Sequence, residues 1–219
     1  MTHLKRLVAP KTWPIKRKGI VFITRQYPRV KTEFAIPLSI ALRDMLKVVD
    51  TESEAKKILR ERKVKVNGRV RMDKKFPLAL FDVLDIHDIG KKYHVSFTKL
   101  GRLTLEEAKK ADHRLLRVEG KTKVAGGKLQ LNLFDGTNVI AAKDEYKVGD
   151  AVKVSLSDNK ILGKITPDKG AKVLVIKGSH RGAVAEIKSL NLEKSPKEVT
   201  LRNEEGEFMT RFNYIHLIE

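Results

Sequence analysis

Apolar residues at Leu38, Ala41, Leu42, Met45, Leu46 and Val49 recur at i, i+3, i+4, i+7, i+8 and i+11, the period of one helix face. Pro37 suits the first position of that helix, where a missing N–H costs nothing. Arg43 and Lys47 lie four apart, on a side away from much of the apolar stripe. Thr51-Glu52-Ser53-Glu54 announces a second helix: Thr51 as N-cap and Glu54 three residues on make a capping box. Along it Ala55, Ile58 and Leu59 face inward, while Lys56, Arg60 and Lys63 form a basic stripe. The period then falls to two. Val64 and Val66 alternate with Lys65, and Asn67-Gly68 is a strong hairpin signal, since a type I′ turn needs positive φ at both central residues. With a return strand at 81–86, residues 36–86 read as a small α+β unit.

The flanks read differently. Pro10, Pro14 and Pro28 punctuate residues 1–35, preventing a continuous helix and favouring extended backbone. With few apolar positions, the segment is expected to be an extended arm, mobile until a partner orders it. Residues 87–165 carry one helical signal, at 104–111, where Thr104 and Glu107 could cap. Elsewhere they alternate in short runs, such as Val152, Val154 and Leu156 after Gly149-Asp150 and before a polar turn at 157–160, in the manner of a small barrel or sandwich. Residues 166–219 continue in that style. Gly170, Gly178 and Gly182 bracket a strand and its turn, residues 203–206 make a second hairpin, and the length suits a five-stranded barrel. The expected fold is multidomain α+β, divided at 1–35, 36–86, 87–165 and 166–219.

Charge changes this picture. The 219 residues include 46 Lys+Arg against 27 Asp+Glu, a formal net charge of +19. Two windows hold most of it: residues 1–32 have nine basic and no acidic side chains, and residues 56–75 have ten basic against two acidic. A merely solvated face usually mixes signs, so these windows point to a polyanion, nucleic acid before membrane. The absence of cysteine excludes disulfides, thiolate zinc sites and a Cys nucleophile, and suits a reducing compartment. No apolar run approaches a membrane span and no signal-peptide core is evident, so a soluble cytoplasmic protein is expected.

Most of the candidate RNA contacts lie in these two windows. In the arm they are Lys5, Arg6, Lys11, Trp13, Lys16, Arg17, Lys18, Arg25, Arg29 and Lys31. In the α+β unit they are Arg43, Lys47, Lys56, Lys57, Arg60, Lys63, Lys65, Asn67, Arg69 and Arg71. Near the C-terminus the resemblance of KVLVIKGSHRGAVAEI to a KOW motif adds Lys177, His180 and Arg181, in a glycine-rich turn that would let backbone approach RNA closely. Trp13 has two open roles, stacking on a base or apolar gap at an RNA interface, or packing on the protein's own barrel.

Catalysis has little support. His3, His87, His94, His113, His180 and His216 are scattered without metal-ligand spacing, and no Walker loop or dinucleotide fingerprint occurs. Residues 101–108, Gly-Arg-Leu-Thr-Leu-Glu-Glu-Ala, resemble the Gly-Arg-Leu-Asp motif of pseudouridine synthases, but Thr104 stands at the catalytic aspartate position. No enzyme, cofactor, metal, small-molecule substrate or membrane partner is expected.

Residues 51–70 resemble the S4 RNA-binding module, and residues 172–187, KVLVIKGSHRGAVAEI, resemble a KOW motif. The opening HLKRLVAPKTWPIKRK, with KVKVNGRVRMD at 63–73, FPLALFDVLDI at 76–86 and DGTNV at 135–139, resembles the small-subunit ribosomal protein S4e family along essentially the whole chain. The lack of a longer C-terminal extension resembles its archaeal members. The resemblance implies a structural constituent of the small ribosomal subunit, with small-subunit rRNA and neighbouring ribosomal proteins as partners. It also implies an S4-like module, a β-rich central domain and a C-terminal SH3-like KOW barrel, the arm penetrating rRNA. The competing reading is a free RNA chaperone or transcription-associated KOW factor touching ribosomes only transiently.

Overall fold

Strands dominate the computed structural model, which describes residues 3–108, 112–141, 144–156, 158–191, 196–204 and 206–218. The chain forms two units, one of Met1–Phe97 with Arg102–Asp112, the other of Thr98–Gly101 with His113–Glu219.

In the first unit, β1 (Leu4–Lys5) pairs antiparallel with β2 (Phe22–Ile23), setting Leu4 opposite Ile23 and Lys5 opposite Phe22. β3 (Ala35–Pro37) leads into α1 (Leu38–Ile40), which continues as a π-wound stretch, Ala41–Met45. The Leu46 N–H closes that stretch on the Ala41 carbonyl at 3.0 Å, and Lys47 follows at φ 53°. The predicted helix is therefore real but ends before Val49, which is still buried. α2 (Glu52–Arg60) begins with the predicted capping box: Thr51 Oγ1 accepts from Glu54 N–H at 3.2 Å, and the Glu54 carboxylate accepts from Thr51 and Asp50 N–H groups. β4 (Val64–Val66) and β5 (Arg69–Val70) form the predicted hairpin, with Asn67 and Gly68 at φ 52° and 74°. β6 (Pro77–Ala79) pairs with β3.

β7 (Val83–Ile86), β8 (Lys91–Phe97) and β9 (Leu103–Glu107) complete a five-stranded sheet in the order β5-β4-β7-β8-β9. Pairing thus runs through residue 86, where a module boundary was expected, because β8 lies directly on β7. β9 also corrects the helix expected at 104–111. Leu103 to Glu107 pair with Phe97 to Tyr93, and Leu103 is buried, so sheet pairing overrides the local capping signal. Residues 109–111 lie outside the described residues.

The second unit holds two five-stranded antiparallel sheets. The first contains β10 (His113–Lys123), β11 (Leu129–Leu133), β12 (Asn138–Ala141), β13 (Ala151–Ser155) and β14 (Ile161–Ile165), ordered β12-β11-β10-β13-β14. The turn expected at 157–160 begins outside the described residues. The second sheet contains β15 (Lys172–Val175), β16 (Val184–Asn191), β17 (Glu198–Asn203), β18 (Gly206–Arg211) and β19 (Ile215–Leu217), ordered β18-β17-β16-β15-β19. Its hairpin at 203–206 sets Asn203 opposite Gly206, with residue 205 outside the described residues. Val173, Val175, Ile187, Val199, Leu201, Phe212, Ile215 and Leu217 make a core with Ala151 of β13. Two polar features are built into this unit: a buried Arg114–Asp135 ion pair and a fully buried His216.

Candidate nucleic-acid interface

The arm is folded onto its own unit, which corrects the expectation of a mobile, extended segment. Arg6 is buried and donates to the Lys16 carbonyl at 2.8 Å. Arg17 donates to three carbonyls, Leu7 at 3.2 Å, Ala9 at 2.9 Å and Pro10 at 2.9 Å. One guanidinium thereby satisfies the backbone that proline and irregular geometry leave without ladder partners. The Thr12 carbonyl accepts from Leu103 N–H at 2.8 Å, tying the arm to β9. Trp13 is 2% exposed, and its indole N–H is shared by the Thr32 and Ala35 carbonyls at 3.0 and 2.8 Å. Its ring packs inside the first unit, and in this arrangement it is neither open to a base nor placed on a C-terminal barrel. Lys5, Lys11, Lys16, Lys18, Arg25 and Lys31 remain exposed.

Lys56, Lys57 and Arg60 of α2 are exposed, as are Lys65 and Arg69 on the hairpin. A cleft of about 330 Å³ is lined by Lys56 and Arg60 from α2 and by Met72, Asp73 and Lys74 from the segment leaving β5. Helix stripe and hairpin exit therefore meet at one shallow cationic surface. Lys74 also pairs with Glu52, whose carboxyl it holds below the usual range through that hydrogen bond. Arg71 lies half-buried over the Phe76 ring at 4.3 Å, and Arg29 stands 5.5 Å from the same ring. Burial lowers the Arg71 pKa, with the Arg29 and Arg69 charges adding to the effect. Such crowded cations favour an anion nearby.

Other predicted contacts are engaged within the chain. Lys63 bridges Glu61 and Asp88 at 2.9 Å each, and these hydrogen bonds raise its pKa. Arg43 pairs with Asp44 at 2.7 Å, and Lys47 is exposed beyond it. Asn67 is buried: its side-chain amide donates to Asp82 at 2.7 Å and its side-chain oxygen accepts from Val83 N–H at 2.9 Å. It holds the hairpin in place rather than projecting from the tip. Sequence reasoning left out Lys74 and the exposed Arg62, although both fall in the basic window of 56–75.

In the second unit, the turn between β15 and β16 carries Lys177, His180 and Arg181. His180 stacks on Phe208, with centroids 4.2 Å apart and planes inclined by 22°. His180 and Arg181 line a cleft of about 830 Å³ with Lys99, Lys172 and Arg202, but also with Glu186 and Glu204. Gly182, at φ +89°, lies so near residue 98 that a Cβ would stand 2.1 Å from the Thr98 carbonyl oxygen. Glycine is required there by close backbone approach inside this unit.

Among the described residues no group of three or more His, Asp or Glu is placed to hold a metal ion, and no helix is long and apolar enough to cross a membrane. The family model described as "Ribosomal family S4e" matches residues 89–161, and that of the "RS4NT (NUC023) domain" matches residues 2–28. Small ribosomal subunit protein eS4 of Archaeoglobus fulgidus is 38% identical over 218 residues, covering 99% of this chain and 92% of that protein. Its counterpart in Methanocaldococcus jannaschii is 36% identical over 229 residues, with coverages of 99% and 93%. The crystal structure of the 30S ribosomal protein S4e from Thermoplasma acidophilum matches with a TM-score of 0.71 and 33% identity, over 84% of this chain and 94% of that one.

Proposed function

The chain belongs to the ribosomal S4e family, and from that premise we propose that it is a non-catalytic constituent of the small ribosomal subunit in the cytoplasm, held there by its rRNA. The observation that carries the RNA-binding reading is the convergence of Lys56 and Arg60 of α2 with Lys74 at one cleft, beside the exposed Lys65 and Arg69 of the hairpin. Ammonium and guanidinium groups on two adjacent elements can meet several phosphates, and each neutralised phosphate releases counterions. In this reading the α2–hairpin region serves as an S4-like module and the C-terminal sheet as a KOW barrel. The arm adds further phosphate contacts through Lys5, Lys11, Lys16 and Lys18. Other small-subunit proteins adjoin it in the subunit.

The test is binding of the full chain to its own small-subunit rRNA, transcribed in vitro, across a potassium chloride series. Lys56→Glu with Arg60→Glu should weaken binding and reduce the slope of log K against log salt by roughly 0.7–0.9 for each phosphate no longer neutralised. An unchanged slope would place the stripe in solvent. Sedimentation adds a second criterion: the protein should stay on the small-subunit peak through a high-salt wash. Release by salt would favour a transiently bound factor.

A further inference from the structure

The folded arm presents an apolar surface that electrostatics does not explain. Leu7, Val8, Ile20, Val21 and Phe22 are between 53% and 72% exposed. They fall close together along the fold: β1 pairs with β2, and Arg6 N–H donates to the Val21 carbonyl at 2.8 Å, so the 3-10 turn Arg6–Val8 starts beside Val21. The two paired positions have distinct faces, because directly opposed residues of an antiparallel pair point the same way, and Leu7, Val8, Ile20 and Val21 are exposed on the irregular turns that flank them. Leu4 and Ile23 form the inner pair, with Ile23 buried, while Lys5 and Phe22 form the exposed outer pair. His3 lies against the Phe22 ring, centroids 5.5 Å apart. Single exposed hydrophobic residues are commonplace, but five clustered on the ribbon's Phe22, the single 3-10 turn Arg6–Val8 that follows β1 and the residues leading into β2 mark a contact surface.

Charge decides what covers it. Lys5, Lys16 and Lys18 are exposed within the same segment, and residues 3–31 contain no carboxylate. We propose that this ribbon docks on RNA, laying Leu7, Val8, Val21 and Phe22 against bases and riboses exposed at an RNA groove or loop while the surrounding lysines meet the flanking phosphates. Bases and ribose edges offer apolar area beside an anionic backbone, which matches an apolar patch on a segment that carries cations and no carboxylate. The inference rests on the rRNA-binding reading above and adds a component of affinity that salt does not screen. Apolar burial changes the intercept of the salt plot, whereas phosphate contacts change its slope.

The experiment compares the full chain with two sets of variants on in vitro transcribed small-subunit rRNA, over a potassium chloride series. Val8→Ser with Phe22→Ser should bind about tenfold more weakly at every salt concentration, with the slope unchanged. Leu7→Ser with Val21→Ser should do the same, and unaltered circular dichroism establishes that each variant is folded. Lys5→Gln with Lys18→Gln should lower the slope instead. Equal affinity of both apolar variants and the parent at all salt concentrations overturns the proposal. If those variants bind RNA normally yet fail to enter reconstituted subunits, a protein neighbour covers the ribbon and the RNA assignment is wrong. A parent chain with no salt-dependent rRNA affinity would sink the underlying reading instead.

Discussion

His216 makes the stability of the second unit sensitive to acid. The ring is fully buried on β19, where Nε2 accepts the Arg117 backbone N–H at 3.2 Å. That leaves the ring proton on Nδ1, 2.8 Å from the Leu217 carbonyl, and Phe134 packs edge-on at 5.8 Å. Protonating Nε2 would destroy an acceptor and place a second cation beside the Arg117 guanidinium, which donates to the Ile215 carbonyl and Asn213. Burial, reinforced by the Arg117 charge and opposed by the Leu217 carbonyl, pushes the imidazole down from 6.5 to about 3. The unfolded chain therefore binds a proton that the folded chain refuses, so stability falls as pH drops below 6.5 and stops falling near 3. The loss is about 1.4 kcal/mol per pH unit, hence roughly 2 kcal/mol by pH 5 and of order 4–5 kcal/mol over the full window. Urea unfolding followed by far-ultraviolet circular dichroism, at pH 7 and pH 5, measures it. Trp13 fluorescence serves as the internal control, since the chain's one tryptophan lies in the first unit. His216→Phe should destabilise at pH 7 by about 1–3 kcal/mol, because the Arg117 N–H loses its acceptor. The deficit should shrink as pH falls, since the variant has no proton to refuse. A constant deficit across that range, or a His216 ring signal titrating near pH 6.5 in the folded protein, would refute the reasoning.

Other outcomes follow from the same geometry. Trp13 in the free protein should emit at short wavelength and resist iodide quenching, and Trp13→Ala should cost about 3–5 kcal/mol in urea unfolding read by circular dichroism. Arg17→Met removes the donor for three carbonyls, so limited proteolysis should cut within residues 3–31 many times faster while the rest of the chain stays resistant. Arg114→Met leaves Asp135 charged in the second unit's interior, and should cost about 3–5 kcal/mol in thermal or urea unfolding. Gly182→Ala should destabilise the second unit through both its left-handed φ and the collision with Thr98, measurable as a lower urea midpoint.

What was legible in the sequence was local. The Thr51–Glu54 box, the Asn67-Gly68 turn and the alternation of Val64 and Val66 with Lys65 each depend on neighbours within a few positions, and each appears as read. The signals that misled were equally local but lost to distant pairing. Thr104 and Glu107 could cap a helix, yet residues 103–107 find a better partner in β8. The arm looked unable to offset its ordering because its stabilising groups are charged. Arg17 works through carbonyls seven to ten residues behind it, and Trp13 reaches to residues 32 and 35. Hydrophobic periodicity is blind to guanidinium–carbonyl bonds. Among the candidate contacts, the cations on α2 and the hairpin stand out in the sequence as a predominantly basic window, whereas the self-engagement of Arg6, Lys63 and Asn67 needed coordinates.

The folded state of the arm bears on the calorimetry of assembly. Fixing one backbone residue costs roughly 1–2 kcal/mol, so ordering a loose segment the length of residues 3–31 on RNA would absorb tens of kcal/mol. Here Arg6, Arg17 and Trp13 hold that segment in place before any encounter. If the ribbon docks on RNA as proposed, association should therefore lack the large negative heat-capacity change of coupled folding, leaving only the modest one from covering the ribbon. The protein should dock as a preformed body, at a rate limited by collision and orientation rather than by the search of a wandering tail.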